Sequence, residues 1–460
     1  MTAIRFGHEG HSNKQREAIA AGEPIAQRTF TPTQAVIAAS AGIYHWTAEG
    51  RRLYDYTSGV LVANLGHNPI SWKDRFDALM GWTEAESILK YAQYRSPKGF
   101  QAAVPLTAYN AITPIEAEAT ARLITFCQRR PGGSRLERVL WAASGAEAIQ
   151  KSLWAAMARD KSRQMILATR YGYHGKKGLS CAITGTEADP ERDPRVRFID
   201  FPREACSDVS QRHAPFNFAP HRQELDALWA EHGSKLGTLI TEPYLGGGGS
   251  YHPPKAYLQG LQQFCREKDI VFILDEVQAN FGRTGNMFAY ETYGLSPDIV
   301  VLGKGLGNGI PVAAAVGSKR IFDSLGYGEA SDTWSANPLS CAAVLATLEA
   351  YAAEDLMTPM HDVSAIIESH LVALKQFPYV THIRGEEGGM VWGVEFATPE
   401  LARAFVKEAY LGDGSNMGDG VHLLGPLAGK VVRISPPLII TRDEADRGAK
   451  ILAEACRKIG

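Results

Sequence analysis

Seven short apolar stretches of this 460-residue chain, most of them apolar on both of the faces that a β-strand would present, constrain its fold more than any other feature. They are Arg138–Ser144, Met165–Arg170, Val196–Phe201, Leu236–Pro243, Ile270–Val277, Asp298–Gly303 and Val312–Ser318. A strand with one face in water alternates apolar and polar residues; these do not, so both faces must be covered. Helical patterns such as Ala146–Asp160 and Lys255–Asp269 lie between them, the second placing Leu258, Leu261, Phe264 and Cys265 along one side. Strands alternating with helices predict an α/β fold, a largely parallel sheet wrapped by helices.

A chain of this length exceeds what one hydrophobic core usually fills, so two domains are expected. After Asn337-Pro338 the pattern changes. Leu339–Glu354 reads as one long helix bridging the two domains, followed by a helix at His361–Phe377, strands in IRGEEGGMVWGVEF, a helix at Pro399–Tyr410, a strand at VVRISPPLII and a helix at Arg442–Lys458. This is an α+β unit, and the strand signals in GIYHWTAEGRRLYDY are expected to join it. The predicted division is 91–340 as a large domain, with 1–90 and 341–460 forming a smaller one.

With 48 Lys and Arg against 50 Asp and Glu, the chain lacks the charge footprint of a nucleic-acid or anionic-membrane binder, and a small-molecule partner fits better. The N-terminal stretch has no apolar core behind a basic cap, and no run reaches ~18 apolar residues, so a cytoplasmic location is expected. The cysteines at 127, 181, 206, 265, 341 and 456 show no CxxC or Cys/His spacing of a zinc ligand set. They read as reduced, buried side chains, and no metal is expected.

Chemistry enters at two strand ends. Lys304 follows an apolar strand within VLGKGLGNGIP, at the carboxyl edge where open α/β sheets bind ligands. Its glycine neighbours allow close approach of a flat group, and a desolvated lysine becomes a nucleophilic amine suited to imine formation. A solvated loop lysine is the ordinary alternative. The glycine-rich stretch fits neither GxGxxG nor GxxxxGK[ST], which argues against a nucleotide loop. Asp275 ends the strand IVFILDEVQ, where a buried carboxylate requires a compensating partner. A protonated pyridine nitrogen is one such partner, an ordinary arginine another.

Together these motifs make the chain resemble the class III, or ω-type, aminotransferases of pyridoxal-5'-phosphate (PLP) fold type I, from about Gly42 to Leu438. GIYHWTAEGRRLYDYTSGVLVANLGHNP, SGAEAIQ, YGYHG, DEVQANFGRTG, KGLGNGIP, TWSANPLSCAA and VVRISPPLIIT match the family's blocks in order. The resemblance implies a Schiff base of PLP on Lys304 and Asp275 against the ring nitrogen. It implies a phosphate site at Gly145 and Ala146, where relatives often have Ser or Thr at position 146. Tyr173 and Val277 would face the two sides of the ring, and His174 would brace Asp275. Gln278 would donate to the ring's phenolic oxygen, and Glu242 would support the same network. Thr333 would reach the phosphate in a neighbouring subunit, which implies a homodimer. Arg433 would bind a substrate α-carboxylate.

The sequence departs from the family in two places. In EPYLGGGGSYHPP, Gly247 stands where several relatives carry a glutamate that neutralises this arginine, so a carboxylate switch is not expected. The stretch Trp72–Arg95, with Tyr91, Tyr94 and Arg95, fits the family poorly, which leaves the donor open. The expected activity is transfer of an amino group from an amine or amino acid to an α-keto acid by a ping-pong Schiff-base mechanism. Racemases, decarboxylases and aminomutases share the scaffold, and a silent PLP-binding protein is a further alternative.

Overall fold

The computed structural model describes residues 3–27, 29, 31–82, 85, 103–412 and 418–460. Near the N-terminus three strands form an antiparallel sheet: β1 (Ile37–Ala41), β2 (Tyr44–Thr47) and β3 (Arg52–Asp55). The seven apolar stretches become β4 (Arg138–Ala142), β5 (Met165–Thr169), β6 (Val196–Ile199), β7 (Leu236–Thr241), β8 (Val271–Asp275), β9 (Ile299–Leu302) and β10 (Ala313–Gly317). They form one sheet in the order β4-β10-β9-β8-β7-β5-β6. Strands β6, β5, β7, β8 and β9 run parallel, and β10 is antiparallel to both β9 and β4. Six strands therefore point the same way, and their carboxyl ends share one edge.

The twofold period of a strand divides its side chains between two cores. Ile273 and Val301 pack on the side of helix Gly145–Arg159, against Ile149 and Leu153, whereas Phe272, Leu274 and Val300 join the core that holds Leu258, Leu261 and Phe264 of helix Lys255–Glu267. Each such buried side chain contributes roughly 1.5–3 kcal/mol. Both faces are covered, as the apolar runs required.

Helix Pro338–Ala353 leads into β11 (Val380–Gly385), β12 (Trp392–Phe396), β13 (Gly420–His422) and β14 (Val431–Ile434). Strands β11, β12 and β14 form an antiparallel sheet, backed by helix Pro399–Leu411, against which helix Arg442–Ile459 packs. Strand β13 instead pairs in parallel with β3, bringing a strand from each end of the chain into one sheet.

Several elements differ from what the sequence pattern predicts. The strand expected through VVRISPPLII stops at Ile434, because Pro436 and Pro437 offer no N–H to a ladder. Helices Gly10–Gly22, Ile70–Met80 and Pro114–Gln128 are absent from the expected elements. The first of these is polar along most of its length, and tertiary bonds hold it: Arg16 reaches Glu9 at 2.6 Å and the Gln34 carbonyl at 2.9 Å. All six cysteines are free thiols. Among the described residues no helix is long and apolar enough to cross a membrane.

Candidate active site

The shared carboxyl edge of the central sheet opens into a cleft of about 1500 Å³. Gly145, Ala146, Tyr173, His174, Glu242, Asp275, Val277, Gln278 and Lys304 all line it. They arrive from the ends of β4, β5, β7, β8 and β9, so the sheet order assembles what the sequence spreads over 160 positions.

Lys304 begins a short turn, Lys304–Leu306, directly after β9. Its φ of 47° lies in the left-handed region, a conformation that costs a lysine energy and is kept only where the surroundings enforce it. They do so from beneath: Asn280 Nδ2 donates to the Gly303 carbonyl at 3.1 Å, and any side chain at Gly305 would stand 2.4 Å from Asn64 Nδ2. The amine is buried, and loss of water lowers its pKa to about 8; Arg433 pushes the same way, while Asp275 and Glu242 partly oppose it. Among the described residues, its Nζ has neither a hydrogen-bond nor an ion-pair partner.

Asp275 ends β8, one register step from Lys304's strand, where it pairs with Val301. One carboxylate oxygen lies 2.7 Å from His174 Nδ1, and the other accepts the Val277 N–H at 3.0 Å. Glu242 pins two loops together by accepting the N–H groups of Tyr173 at 2.8 Å and Gly246 at 3.3 Å. Burial raises its pKa to about 7, with Asp275 adding to the rise and His174 opposing it.

At the end of β4, Ser144 caps helix Gly145–Arg159 by accepting the Glu147 N–H, while the Glu147 carboxylate turns back to the N–H groups of Ala143 and Ser144. That capping box satisfies the flanking amides and leaves those of Gly145 and Ala146 for a ligand. Two free amides at the positive end of a fifteen-residue helix suit a phosphate, and Lys176 and Lys177 stand in the same wall. Val277 is seated between two glycines: a Cβ at Gly145 or at Gly303 would lie 3.1 or 3.3 Å from its methyl group. Tyr173, 40% exposed, also borders the cleft. A flat ring with a phosphate, a basic nitrogen and an aldehyde finds matching groups here: amides, a buried carboxylate and an unpaired amine. The residues present therefore fit PLP.

Arg433 and Thr333 are placed differently from the rest. Arg433, on β14, is buried behind the cleft wall, and its Nη1 donates to Gln278 Oε1 at 2.6 Å. Burial lowers its pKa, with no carboxylate in contact among the described residues. A Cβ at Gly246 would come within 2.4 Å of Gln278 Oε1, and one at Gly247 within 3.2 Å of the Tyr173 Cβ, so this loop is backbone because side chains would not fit as it stands. Thr333 is exposed on a turn outside the cleft wall of its own chain. That turn is anchored by Lys151, whose amine lies 2.6 Å from both Asp332 Oδ2 and Ser335 Oγ. Tyr91, Tyr94 and Arg95 lie outside the described residues.

Sequence reasoning missed the Gln278–Arg433 contact, the Lys151 anchor and the buried Glu276. Glu276 accepts the N–H groups of Ala289 and Tyr290, each at 2.7 Å, and clamps the loop beyond β8. Its signal was available: two adjacent carboxylates ending one apolar strand must face opposite ways.

The comparisons with known proteins agree with this geometry. The family model for aminotransferase class-III matches residues 98–456. An omega-aminotransferase from Caulobacter vibrioides is 28% identical, the match covering 94% of each chain. An acetylornithine aminotransferase from Agrobacterium fabrum is 30% identical over 90% of this chain and 92% of its own. Among solved structures, a PLP-bound amine transaminase from an uncultivated Pseudomonas species superposes with a TM-score of 0.76 at 25% identity, covering 95% of this chain and 97% of that one. With fold, cleft and relatives in accord, this chain belongs to the class III aminotransferases, PLP-dependent enzymes of fold type I that move an amino group from an amine or amino acid to a keto acid.

Proposed function

We propose that Lys304 carries the cofactor and moves the proton in this transamination, and that Arg433, with Gln278 as its resting partner, selects carboxylates. The observation that carries the reading is the buried, unpaired amine of Lys304 on the strand beside Asp275. When bound, PLP supplies an electron-withdrawing ring that takes up the charge left at the substrate carbon. Asp275 holds a positive charge at the ring nitrogen, and His174, 2.7 Å away, keeps that carboxylate oriented. Gly145 and Ala146 bind the phosphate through backbone amides. Tyr173 and Val277 confine the ring between them, and Glu242 fixes the Tyr173 loop.

Lys304, with its amine released by the incoming donor, removes the proton from the amine-bearing substrate carbon. A pKa of about 8 suits that role, since the free base is present in quantity near neutral pH. Gln278 has both of its polar atoms to offer: its carbonyl oxygen holds Arg433, and its amide N–H₂ is left to the ring's phenolic oxygen. An incoming keto-acid carboxylate then competes with a neutral amide rather than with a charged glutamate. The reading extends to a homodimer in which Thr333 serves the partner's phosphate, to a large domain at 91–340 with a smaller one built from 1–90 and 341–460, and to a cytoplasmic location.

The test is the isolated half-reaction. Holoenzyme given an amine donor and no keto acid should release one carbonyl product per active site and then stop, resuming when pyruvate or 2-oxoglutarate is added. Continued turnover without an acceptor, or release of carbon dioxide, would overturn the reading. Run over α-amino acids, ω-amino acids, diamines, amino sugars and hydrophobic amines, the same assay identifies the donor.

A further inference from the structure

Three histidines gather around one buried carboxylate at the β1-β2-β3-β13 sheet, unused by the chemistry above. Asp55 ends β3 and is fully buried. His67, which follows a loop from β3, places Nε2 2.7 Å from Asp55 Oδ2, and His45 on β2 places Nε2 3.6 Å from the same oxygen. The two imidazole rings are 4.4 Å apart. His422, paired with Asp55 across β3 and β13, stands 5.5 Å from the His45 ring, and its Nδ1 is buried without a partner.

Hydrogen bonding explains only part of this cluster. The Asp55–His67 contact is an ordinary hydrogen bond, whereas His45 Nε2 stands 3.6 Å from the same oxygen, beyond ordinary hydrogen-bond length, and Nδ1 of His422 is buried without a hydrogen-bond partner among the described residues. We propose that His45, Asp55 and His67 bind a divalent first-row transition ion, zinc by preference, with a water or His422 in the remaining position. Their ligand atoms lie within 4.8 Å of one another. A tetrahedral zinc with bonds of ~2.0–2.1 Å holds its ligand atoms about 3.3 Å apart, between the two separations seen around Asp55.

The outer contacts are those a metal ligand requires. Ser40 Oγ holds His45 Nδ1 at 2.7 Å, which turns Nε2 inward. The second oxygen of Asp55 accepts from the Thr57 N–H at 2.8 Å and hydroxyl at 2.7 Å, leaving Oδ2 to the histidines. Such supports fix ligand orientation and tune affinity. Residues 45, 55 and 67 are too far apart in sequence to form a recognisable spacing motif; the β2–β3 pairing joins the first two, and a bridge between Gly42 and His67 brings in the third. The ion would close the loop between Asp55 and His67, which carries Val62 into the wall of the active-site cleft. Its role is therefore structural, bracing one side of the substrate pocket.

The experiment uses untagged holoenzyme, dialysed against a chelator, reloaded with zinc and analysed for metal per chain; cobalt serves as a visible-absorbance probe of the coordination. One equivalent of zinc per chain is expected, with tetrahedral cobalt bands. His45→Gln, which leaves the Asp55–His67 hydrogen bond in place but removes one of the three proposed protein ligands, should abolish stoichiometric zinc binding with an unchanged circular dichroism spectrum. His67→Gln provides a second variant in case the first does not fold. Absence of stoichiometric zinc, or equal zinc affinity in wild type and a folded variant, would show that the cluster is a hydrogen-bonded network alone.

Discussion

Two buried lysine amines, one within helix Gly145–Arg159 and one directly after β9, show what burial does to such a group. Lys151 lies inside helix Gly145–Arg159 and is almost wholly enclosed, yet it is saturated: the Trp141 carbonyl at 2.7 Å, Asp332 at 2.6 Å and Ser335 at 2.6 Å take all three of its protons. The amine of Lys304 is also deeply buried but has no such partner among the described residues, and its pKa falls to about 8. Burial supplies the pressure on the charge in both places. What separates a structural cation from a reactive base is whether neighbouring oxygens answer it. Arg433 stands between the two, buried and, among the described residues, bonded only to a neutral amide.

Removing each cation should break the enzyme in a different way. Lys304→Ala should lower turnover by about 10²–10⁴-fold or more, with binding of the α-keto acid little changed, because proton transfer at the substrate carbon is lost. Turnover within tenfold of wild type would place the base elsewhere.

The next effect in size concerns carboxylates. Gln278→Glu gives Arg433 a charged partner, and KM for the α-keto acid should rise about 10–100-fold as that pair must now be displaced. An unchanged KM would mean that Arg433 does not bind the acceptor. A lowered one would mean that Gln278 obstructs it.

The pH dependence of cofactor capture sharpens the lysine comparison. Only the neutral amine attacks an aldehyde, and the Lys304 pKa is depressed, so the reactive form prevails above about pH 8. The rate at which cofactor-free protein captures PLP should rise about tenfold per pH unit below that value and level off above it. A rise continuing toward pH 10.5 would show an amine that burial has not touched.

Lys151→Met should have the smallest effect on chemistry and a clear one on stability. Loss of three hydrogen bonds from a charged donor, one of them to a carboxylate, should cost about 1–3 kcal/mol by denaturant unfolding, with turnover kept within a few-fold. If turnover fell as far as in Lys304→Ala, the Asp332–Ser335 turn would be part of the active site rather than its support.

Much of this is legible in the order of the residues alone. Strands with no polar face could only be the interior of a covered sheet, and Lys304 and Asp275 stand out because a charge ending such a run needs a reason. The rest is hidden for physical causes. Helix Gly10–Gly22 is held by Arg16 and its distant partners rather than by an apolar stripe, so its sequence carries little signal. The strand expected through Pro436 ends early because backbone donors matter as much as apolar side chains. Gln278 reads as a cofactor ligand, and its hold on Arg433 joins residues 155 positions apart.

The chain's own chemistry, read in order, determined the covered strands of the central sheet and singled out a lysine and an aspartate at two strand ends, because each follows from local pattern. Which strand lies beside which, and so which groups meet, was decided only in three dimensions. Antiparallel β10 slots between β4 and β9 and β13 joins β3; β14 beside β12 carries the Arg433 that meets the neutral amide of Gln278, and the β2–β3 pairing with the Gly42–His67 bridge turns two histidines toward Asp55. Local sequence sets what each side chain can do; the long-range pairing of backbone hydrogen bonds sets what it touches.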